Sequence, residues 1–457
     1  MSKIKYKHLL ALAVIMFTLI TSICLILSNG SNRSIKISIV FSFIIIIIVN
    51  FIGFVLASNN YSYSFCLMFC LFNLFFMGVA PLLQYLTNTY AWNFIASDSE
   101  ILTANFYIIL YLLSFFVGSK SYIKLSTDKR FQRCNSFIIN NTVLDIFCIL
   151  SFIFFIFKLK NRGFINLFTR GAIQGKSTMP QSLSLLKEYI TLNTSLFSFV
   201  FSYLRFRMTN KHKFWFIFSG LTFVFSFFPF AMARNTMAVC YGGIFCVIFF
   251  DYIKNNRWFP LLLLIGLVLA FPAVNVFRYI PSLALNQDSD LLGMMLNMIQ
   301  STYLIGDYDA HQMIMSSMRY VQEYGFTWGK NLLGALLFFV PRSIWTSKPV
   351  GSGALVISGL KQHEFTNISS PFIAELFLSF GVVGICIGGF LLGHFVSFID
   401  SKYWRCKARF NYLKVFYPFG MFMFFFFLRG DLMSSWAYTF ALLIVSFCIF
   451  KMVFRFR

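Results

Sequence analysis

The chain has 457 residues, of which 58% are hydrophobic and only 12% charged, and its mean hydropathy is +0.75. These values exclude a soluble globular protein and predict a helical protein that crosses a membrane many times. The net charge of +23 does not imply a nucleic-acid partner, because short basic loops account for most of it. None of the ten cysteines falls in a predicted outer loop, so a disulfide framework is not expected.

Hydrophobic runs long enough to cross a bilayer recur along the sequence. They predict an all-α integral membrane fold, a single polytopic domain over residues 1–457 with about twelve spans. The predicted spans lie near residues 9–28, 35–57, 64–86, 101–118, 137–158, 183–204, 214–231, 235–252, 258–276, 371–398, 415–428 and 432–450. The first run is too long for the core of a signal peptide and is interpreted as a signal anchor.

The distribution of Lys and Arg predicts the orientation of these spans. With the N-terminus inside, the segments on the cytoplasmic side hold 22 of the 38 Lys and Arg residues. Because cytoplasmic loops carry an excess of these residues, we expect both termini to face the cytoplasm. Two substantial loops, 159–182 and 277–370, then lie on the outer side.

The first outer loop is cationic and contains no Asp or Glu. It carries Lys160, Arg162, Arg170 and Lys176, which runs against the usual charge bias. One interpretation is a loop that rests on anionic headgroups. The other is a phosphate-binding arm, because Arg162 and Arg170 are each followed by glycine and arginine binds phosphate through a fork of donors. Both interpretations stay open.

The second outer loop is predicted to contain short amphipathic or reentrant helices. Apolar residues recur at helical spacing in 288–303 and again in 307–324. On the second segment, Arg319 and Glu323 are four residues apart, a spacing that predicts an ion pair on the helix surface.

A shorter apolar run follows in the same loop. Residues 332–340 stop at Pro341, and nine residues cannot span a bilayer that needs about 20 in a helix. The run is therefore predicted to dip into the membrane or to lie along its surface. Arg342, Trp345 and Lys348 come directly after it, so two cations and an indole are held at the membrane boundary.

This part of the sequence resembles a known family. The residues that carry the resemblance are Tyr324-Gly325, Pro341-Arg342, Trp345, Lys348-Pro349, Glu375, Phe380-Gly381, Gly384 and Arg429-Gly430. They resemble the Wzy-type O-antigen polymerases, a family of bacterial oligosaccharide repeat-unit polymerases, over about a seventh of the chain; the remainder is similar only in hydropathy and layout.

The resemblance implies a GT-C-like membrane glycosyltransferase of the bacterial inner membrane, with its active site facing the periplasm. Its donor and its acceptor would be undecaprenyl-diphosphate-linked oligosaccharides, which it joins into the O-antigen of lipopolysaccharide. Membrane lipids and a chain-length regulator protein are the other partners that it implies.

A polyprenyl-diphosphate donor determines which groups the site needs. The leaving diphosphate is a stable anion, so cations must stabilise its developing charge, and a base must accept the proton of the incoming hydroxyl. No metal or cofactor is expected, because the sequence has no P-loop, no zinc-ligand spacing and no cytosolic Asp-x-Asp motif.

The candidate residues follow from these requirements. The predicted diphosphate- and sugar-binding residues are Arg234, Arg278, Arg342, Arg429, Lys348 and Trp345, with Arg162 and Arg170 of the cationic loop. The predicted bases are His311, one helical turn after Asp307, and Glu375, near the outer start of a span. The alternatives are arginines that reach the headgroups, a histidine on a helix surface, and a Glu375 that only pairs with an arginine.

Two other functions fit the same overall pattern. A flippase for lipid-linked oligosaccharides also has about twelve spans, but it would carry charges along a central cavity and have short outer loops. An O-antigen ligase shares the layout and the chemistry but uses a different acceptor. The outer loop of 94 residues, 277–370, favours an enzyme, and the Pro-Arg, Trp and Lys-Pro cluster favours the polymerase.

Overall fold

The computed structural model describes residues 35–125, 137–164, 167–168, 181–256, 258–270, 308–362, 368–406 and 412–456. The regular secondary structure of these residues is helical apart from one short pair of strands. Eight of their helices are long and apolar enough to cross a membrane. The protein is therefore an all-α, multi-pass membrane protein, as predicted; the predicted span 9–28 lies outside the described residues.

The elements follow the hydrophobic runs of the sequence. The first part of the chain forms α1 (Ile37–Asn60), α2 (Phe65–Thr87), α3 (Asp98–Leu125), β1 (Phe137–Ile139), α4 (Asn141–Arg162) and α5 (Gln181–Thr209). The middle forms α6 (Lys213–Ser226), α7 (Arg234–Ile248), α8 (Phe250–Lys254) and α9 (Phe259–Val268). The last part forms α10 (Ala310–Tyr324), α11 (Lys330–Leu336), α12 (Ser352–Gly359), α13 (Phe372–Arg405), α14 (Tyr412–Arg429), α15 (Leu432–Val453) and β2 (Phe454–Phe456).

The eight candidate spans account for eight of the twelve predicted ones. They are α1, α2, α3, α4, α6 with the turn that follows it, α13, α14 and α15. The predicted spans 235–252 and 258–276 correspond to α7 and α9, whose described residues form helices of only 10–17 residues. A helix of 17 residues is about 26 Å long, which is less than a hydrocarbon core of about 30 Å.

Helix α5 is long enough to cross a membrane, but it is not among the eight. Its sequence, predicted as the span 183–204, carries many polar side chains, including Asn193, Ser198 and Ser202. These three side chains are buried against neighbouring helices rather than exposed to lipid. Part of the polarity that lowers the hydropathy of α5 therefore lies inside the protein, whereas Lys187 and Glu188 near its start are exposed.

The buried apolar residues form two large cores that share one helix. The first is built mainly by α1, α2, α3, α10 and α13, and the second by α4, α5, α6, α7 and α15. Helix α14 lies between them: Tyr417 and Met421 belong to the first core, whereas Phe416 and Phe419 belong to the second. The two halves of the bundle are thus joined through α14.

Glycine permits the close contact between α3 and α13. A Cβ on Gly118 would lie 2.0 Å from the Phe390 carbonyl oxygen, and one on Gly393 would lie 2.0 Å from that of Phe115. Small residues let helix backbones approach closely inside a membrane, where the lipid is as apolar as the side chains. The pair therefore depends on glycine on both helices.

Polar contacts join several helices at one end of the bundle. Asp400, at the far end of α13, accepts hydrogen bonds from the Phe65 and Cys66 N–H groups and from the Tyr417 hydroxyl. Strand β1, just before α4, pairs antiparallel with β2, just after α15, so the start of α4 is joined to the end of α15. Both contacts join segments that the charge distribution places on the cytoplasmic side.

The described part of segment 277–370, predicted to be the second outer loop, contains three short helices. Helix α10 confirms a helix within the segment 307–324, but residues 310–318 are all buried, His311 and Gln312 included, so burial does not separate an apolar face from a polar one there. Helix α11 begins at Lys330 and ends at Leu336, so it covers only the first part of the predicted apolar run 332–340. The other predicted amphipathic segment, 288–303, lies outside the described residues.

Helix α13 is kinked near its start. Phe380 and Gly381 have non-helical angles, and Gly381 has a φ of +60°, in the left-handed region that favours glycine. The carbonyl of Leu378, freed by the kink, accepts hydrogen bonds from the Thr327 N–H at 2.8 Å and from its hydroxyl at 3.1 Å. The kink separates an arm, residues 372–379, from the longer helix that follows.

Candidate functional site

Glu375 lies at the centre of a buried polar network. It is 1% exposed, on the short arm at the start of α13. Its Oε2 accepts a hydrogen bond from the Ser352 hydroxyl at the start of α12, and Oε1 accepts one from the Leu432 N–H at 3.2 Å. Asn331 of α11 donates to the Ser352 oxygen at 2.6 Å. The carboxyl group is thus positioned by four different helices.

A second carboxyl group, that of Asp431, lies beside this network. Asp431 directly precedes Leu432, and its Oδ1 caps α15 by accepting the Met433 N–H at 2.8 Å and the Ser434 N–H at 3.2 Å. A Cβ on Gly351 would lie 2.0 Å from Asp431 Oδ2, so glycine is needed at that position. Two carboxyl groups therefore lie at the junction of α12, α13 and α15.

Arg429 pairs with an aspartate that the sequence analysis did not select. Its Nη2 lies 3.7 Å from Asp309 Oδ1, and its guanidinium lies 5.7 Å from the centre of the Phe76 ring. Asp309 is buried, and Ser369 donates a hydrogen bond to the same Oδ1 at 2.5 Å. Arg429 remains 24% exposed, so its charge is accessible at this end of the bundle.

His311 is buried deeply on α10 and is only 1% exposed. Its Nε2 lies 2.8 Å from the side-chain oxygen of Asn105, while Nδ1 has no hydrogen-bond partner among the residues that the structure describes. Burial lowers the pKa of His311 to about 3, so the ring is neutral at physiological pH. The alternative of a histidine on a helix surface is therefore wrong, and for the predicted role, a neutral ring of such low basicity is a weak general base. Asp307 lies outside the described residues.

Arg342 and Lys348, which follow the short apolar run, form their hydrogen bonds within their own loop. The guanidinium of Arg342 donates to the carbonyl oxygens of Lys348 at 2.6 Å and Pro349 at 3.0 Å. The Lys348 ammonium donates to the carbonyls of Phe338 at 2.6 Å and Val340 at 2.8 Å. Partial burial, and then the charge of Arg342, lower the pKa of Lys348. Both cations thus satisfy carbonyl groups of their own loop.

Arg342 is therefore not joined to the Glu375 network by any contact among the described residues. It is exposed, as are Pro341 and Ser343 beside it, whereas Trp345 is half-buried and donates to the Ser347 hydroxyl at 3.1 Å. Of the residues selected from the sequence, the structure brings Glu375 and Arg429 to the junction of α13, α14 and α15. It places Arg342, Trp345 and Lys348 in a separate surface loop.

The remaining cations selected from the sequence are not part of the Glu375 network among the residues that the structure describes. Arg234 is the half-buried first residue of α7. Arg162 is the last residue of α4, and its side chain is outside the described part of the structure, as are Arg170 and Arg278 entirely.

One predicted ion pair is wrong. Arg319 binds Glu100 of α3, with its Nε 2.5 Å from Oε1 and its Nη2 2.9 Å from Oε2, rather than Glu323 one turn later. The reason is geometric: a fork of two parallel hydrogen bonds to a carboxylate from another helix is stronger than an exposed contact along one helix.

Four polar residues of the site were not selected from the sequence: Asn105, Asp309, Asn331 and Ser352. Asn105 is an amide inside an apolar run, a pattern that marks polar residues facing a bundle interior. Asp309 is the last residue of the triplet Asp307-Tyr308-Asp309, of which only Asp307 was selected. Ser352 stands between two glycines and carried no pattern of its own.

The comparisons with known proteins do not extend these observations. No protein-family model, no curated protein and no solved structure matches the chain.

Proposed function

We propose that the protein is a membrane glycosyltransferase that joins undecaprenyl-diphosphate-linked oligosaccharide repeat units into O-antigen at the periplasmic face of the bacterial inner membrane. The observation that carries the proposal is the buried carboxyl group of Glu375, which accepts hydrogen bonds from Ser352 and from the Leu432 N–H, three residues after the partly exposed Arg429. Ionisable groups at membrane depth mark functional sites far more often than they serve packing. The resemblance of the sequence to O-antigen polymerases supplies the substrate class.

In this proposal Glu375 is the base that accepts the proton of the attacking sugar hydroxyl. A carboxylate oxygen accepts more than one hydrogen bond, so Oε1 and Oε2 each keep acceptor capacity beyond their bonds to Leu432 and Ser352. The two bonds fix the orientation of the carboxylate, as a positioned base requires.

Arg429 supplies the cation for the departing diphosphate. Its guanidinium is fixed against Asp309 and the Phe76 ring and is partly open to the surroundings. A preorganised donor of this kind lowers the barrier by about 3–4 kcal/mol when charge develops on the leaving group. Arg278, outside the described residues, remains a predicted second cation.

The first test replaces Glu375 in a strain that lacks the chromosomal copy of the gene. Glu375→Gln keeps the size but cannot take up a proton, and it replaces one of the two acceptor oxygens by an NH2 donor, so we expect loss of O-antigen polymer, with single repeat units still attached to the lipid A core. Electrophoresis of lipopolysaccharide reads out both species. Loss of a flippase or a ligase would instead leave no repeat unit on the core, which separates the three functions.

Asp400→Asn is the matched control, because Asp400 is also buried on α13 but lies at the far end of that helix. At equal abundance in the membrane, this variant is expected to keep the normal distribution of chain lengths. Long chains made by Glu375→Gln, or equal loss in both variants, would contradict the role proposed for Glu375.

A further inference from the structure

A cavity of about 220 Å³ lies in the second half of the bundle, on a different set of helices from the Glu375 network. The ends of α4, α5, α6, α7 and α15 form its wall. Its polar lining consists of Lys158, Glu188, Tyr189, Ser226, Thr236 and Tyr438. These residues have no role in the function proposed above.

One side of the cavity is an ordered aromatic surface. The rings of Tyr189 and Tyr438 stack with their centres 4.5 Å apart, and Phe426 stacks on Tyr438 at 5.8 Å. The ring of Tyr438 is therefore fixed between two neighbours on different helices. Because both faces of Tyr438 are covered by this stack, its ring edge and its hydroxyl are what it offers to a ligand in the cavity.

Charged and polar groups line the same cavity. The ammonium of Lys158 donates to the Ser226 carbonyl and lies 3.8 Å from the centre of the Phe227 ring, so its position is fixed. Glu188 adds a carboxylate, which only accepts hydrogen bonds when ionised, and Thr236 adds a hydroxyl that both donates and accepts. The wall thus combines donors and acceptors with the edge of an aromatic stack.

The size of the cavity restricts what it can hold. Pockets for drug-sized ligands measure about 300–1,000 Å³, so 220 Å³ accommodates one small ring rather than an oligosaccharide. The charges restrict it further. A phosphate group would face the carboxylate of Glu188, whereas an uncharged polyhydroxylated ring matches both Glu188 and Lys158.

Helix α15 links the cavity to the proposed catalytic group. Its first residue, Leu432, donates its N–H to Glu375, and Tyr438 follows six residues later. Six residues correspond to about 9 Å along a helix axis and to a different face of the helix. The cavity and Glu375 therefore contact different faces of α15.

We propose that this cavity is a saccharide subsite that holds a single uncharged sugar ring of the lipid-linked oligosaccharide. The identity of the substrate rests on the proposed function, but binding of a sugar ring is measurable without any polymerisation. The subsite holds one ring against the edge of the Tyr189–Tyr438 stack, in the cavity that Lys158 and Glu188 also line.

The test uses saturation-transfer NMR on the full chain in lipid nanodiscs. The probes are methyl glucoside, N-acetylglucosamine and rhamnose, with glycerol 1-phosphate as the probe for a lipid headgroup. We expect saturation of ring protons in at least one sugar and none in glycerol 1-phosphate. Tyr438→Ala should reduce the sugar signal at least fivefold, whereas Tyr438→Phe, which keeps the ring, should retain it.

Two further variants make the result decisive. Thr236→Trp fills the cavity without removing the aromatic stack and should also abolish the signal, which covers the case in which Tyr438→Ala does not fold. Tyr252→Ala is the control, because Tyr252 is 73% exposed on α8 and does not line the cavity, and it should leave the signal unchanged.

The outcomes separate this proposal from the proposed function. No sugar signal, a signal that survives Thr236→Trp, or a signal from glycerol 1-phosphate alone would overturn the subsite. Glu375→Gln should bind the sugar like the wild type. If that variant also polymerises normally, the proposed role of Glu375 fails while the subsite stands.

Discussion

At the scale of single residues, burial decides what His311 can do. The sequence presents it one turn after Asp307, as a base oriented by a carboxylate, but the ring is buried beside Asn105 and Phe43. With a pKa of about 3, His311 does not gain a proton in the range where transferases work. This makes Glu375 the stronger candidate for the general base.

The same burial makes the stability of the protein depend on pH. The pKa of His311 is lowered from 6.5 in the unfolded chain to about 3 in the folded one, so the unfolded state binds the proton more readily. The stability that this histidine contributes is present above pH 6.5 and is lost as the pH falls toward 3. The slope for one such group is at most about 1.4 kcal/mol per pH unit.

We therefore expect His311→Gln to flatten the dependence of the unfolding midpoint on pH between 6.5 and 5. Glutamine keeps a hydrogen-bond donor for Asn105 but does not titrate. Thermal unfolding of the purified chain in detergent measures the effect, and His394→Gln, at a half-buried position on α13, is the control. An unchanged pH slope in His311→Gln would show that the histidine is not held neutral.

Arg342 illustrates how local and tertiary contacts compete for a cation. In the sequence, Arg342 follows a helix-stopping proline and carries the best match to the family that the chain resembles. In the structure the nearest acceptors are the Lys348 and Pro349 carbonyls of its own loop, and these are the groups that it binds. A position in the sequence shows that an arginine is near a boundary, but not which acceptor it reaches.

At the scale of elements, the kink in α13 sets the position of Glu375. The kink at Phe380 and Gly381 turns residues 372–379 toward α10, α11 and α12, and Thr327 fills the hydrogen-bonding position that the kink opens. Without it, Glu375 would continue on the axis of the long helix. The predicted continuous span 371–398 missed this feature, because Gly-containing apolar runs read as uninterrupted helix.

We expect Gly381→Ala to destabilise the protein by about 1–2 kcal/mol. Alanine at a φ of +60° is strained, and its Cβ would lie 2.9 Å from the Phe326 ring. The unfolding midpoint in detergent is the measurement. Gly266→Ala is the control, because a Cβ there meets nothing within 4 Å and should leave the midpoint unchanged. Equal midpoints for both variants would mean that the kink is not required.

At the scale of the whole molecule, the contacts agree with the alternation of sides that the charges predict. Segments assigned to the cytoplasmic side contact one another, as Ser62 does with the Lys254 carbonyl and Trp404 with the Tyr63 carbonyl. The Glu375 network and the Arg429–Asp309 pair join segments assigned to the outer side.

This arrangement predicts the result of reporter fusions. Alkaline phosphatase is active only outside the cytoplasm, so a fusion after Tyr324 should be active and one after Lys402 inactive. Fusions to a cytoplasmic reporter at the same two positions give the reciprocal control. The reverse pattern at both positions would invert the protein and place the Glu375 network on the cytoplasmic side, where the proposed reaction does not occur.

The sequence by itself determined the membrane class, the position of most apolar helices and the presence of a helix at α10. These properties depend on hydrophobic periodicity and length, which are local, and they hold whatever the neighbouring helices are. Glu375 and Arg429 could be selected as candidates for the same reason, because a charge at the end of an apolar run is visible in one dimension.

Only the tertiary structure decided the partners of those charges. Asp309 rather than a nearer residue binds Arg429, Glu100 rather than Glu323 binds Arg319, and Ser352 with the Leu432 N–H binds Glu375. A charged group buried among packed helices binds whichever acceptor or donor the packing brings into reach, since leaving it without one costs several kcal/mol. That choice depends on distances between helices, which the order of residues along the chain does not contain.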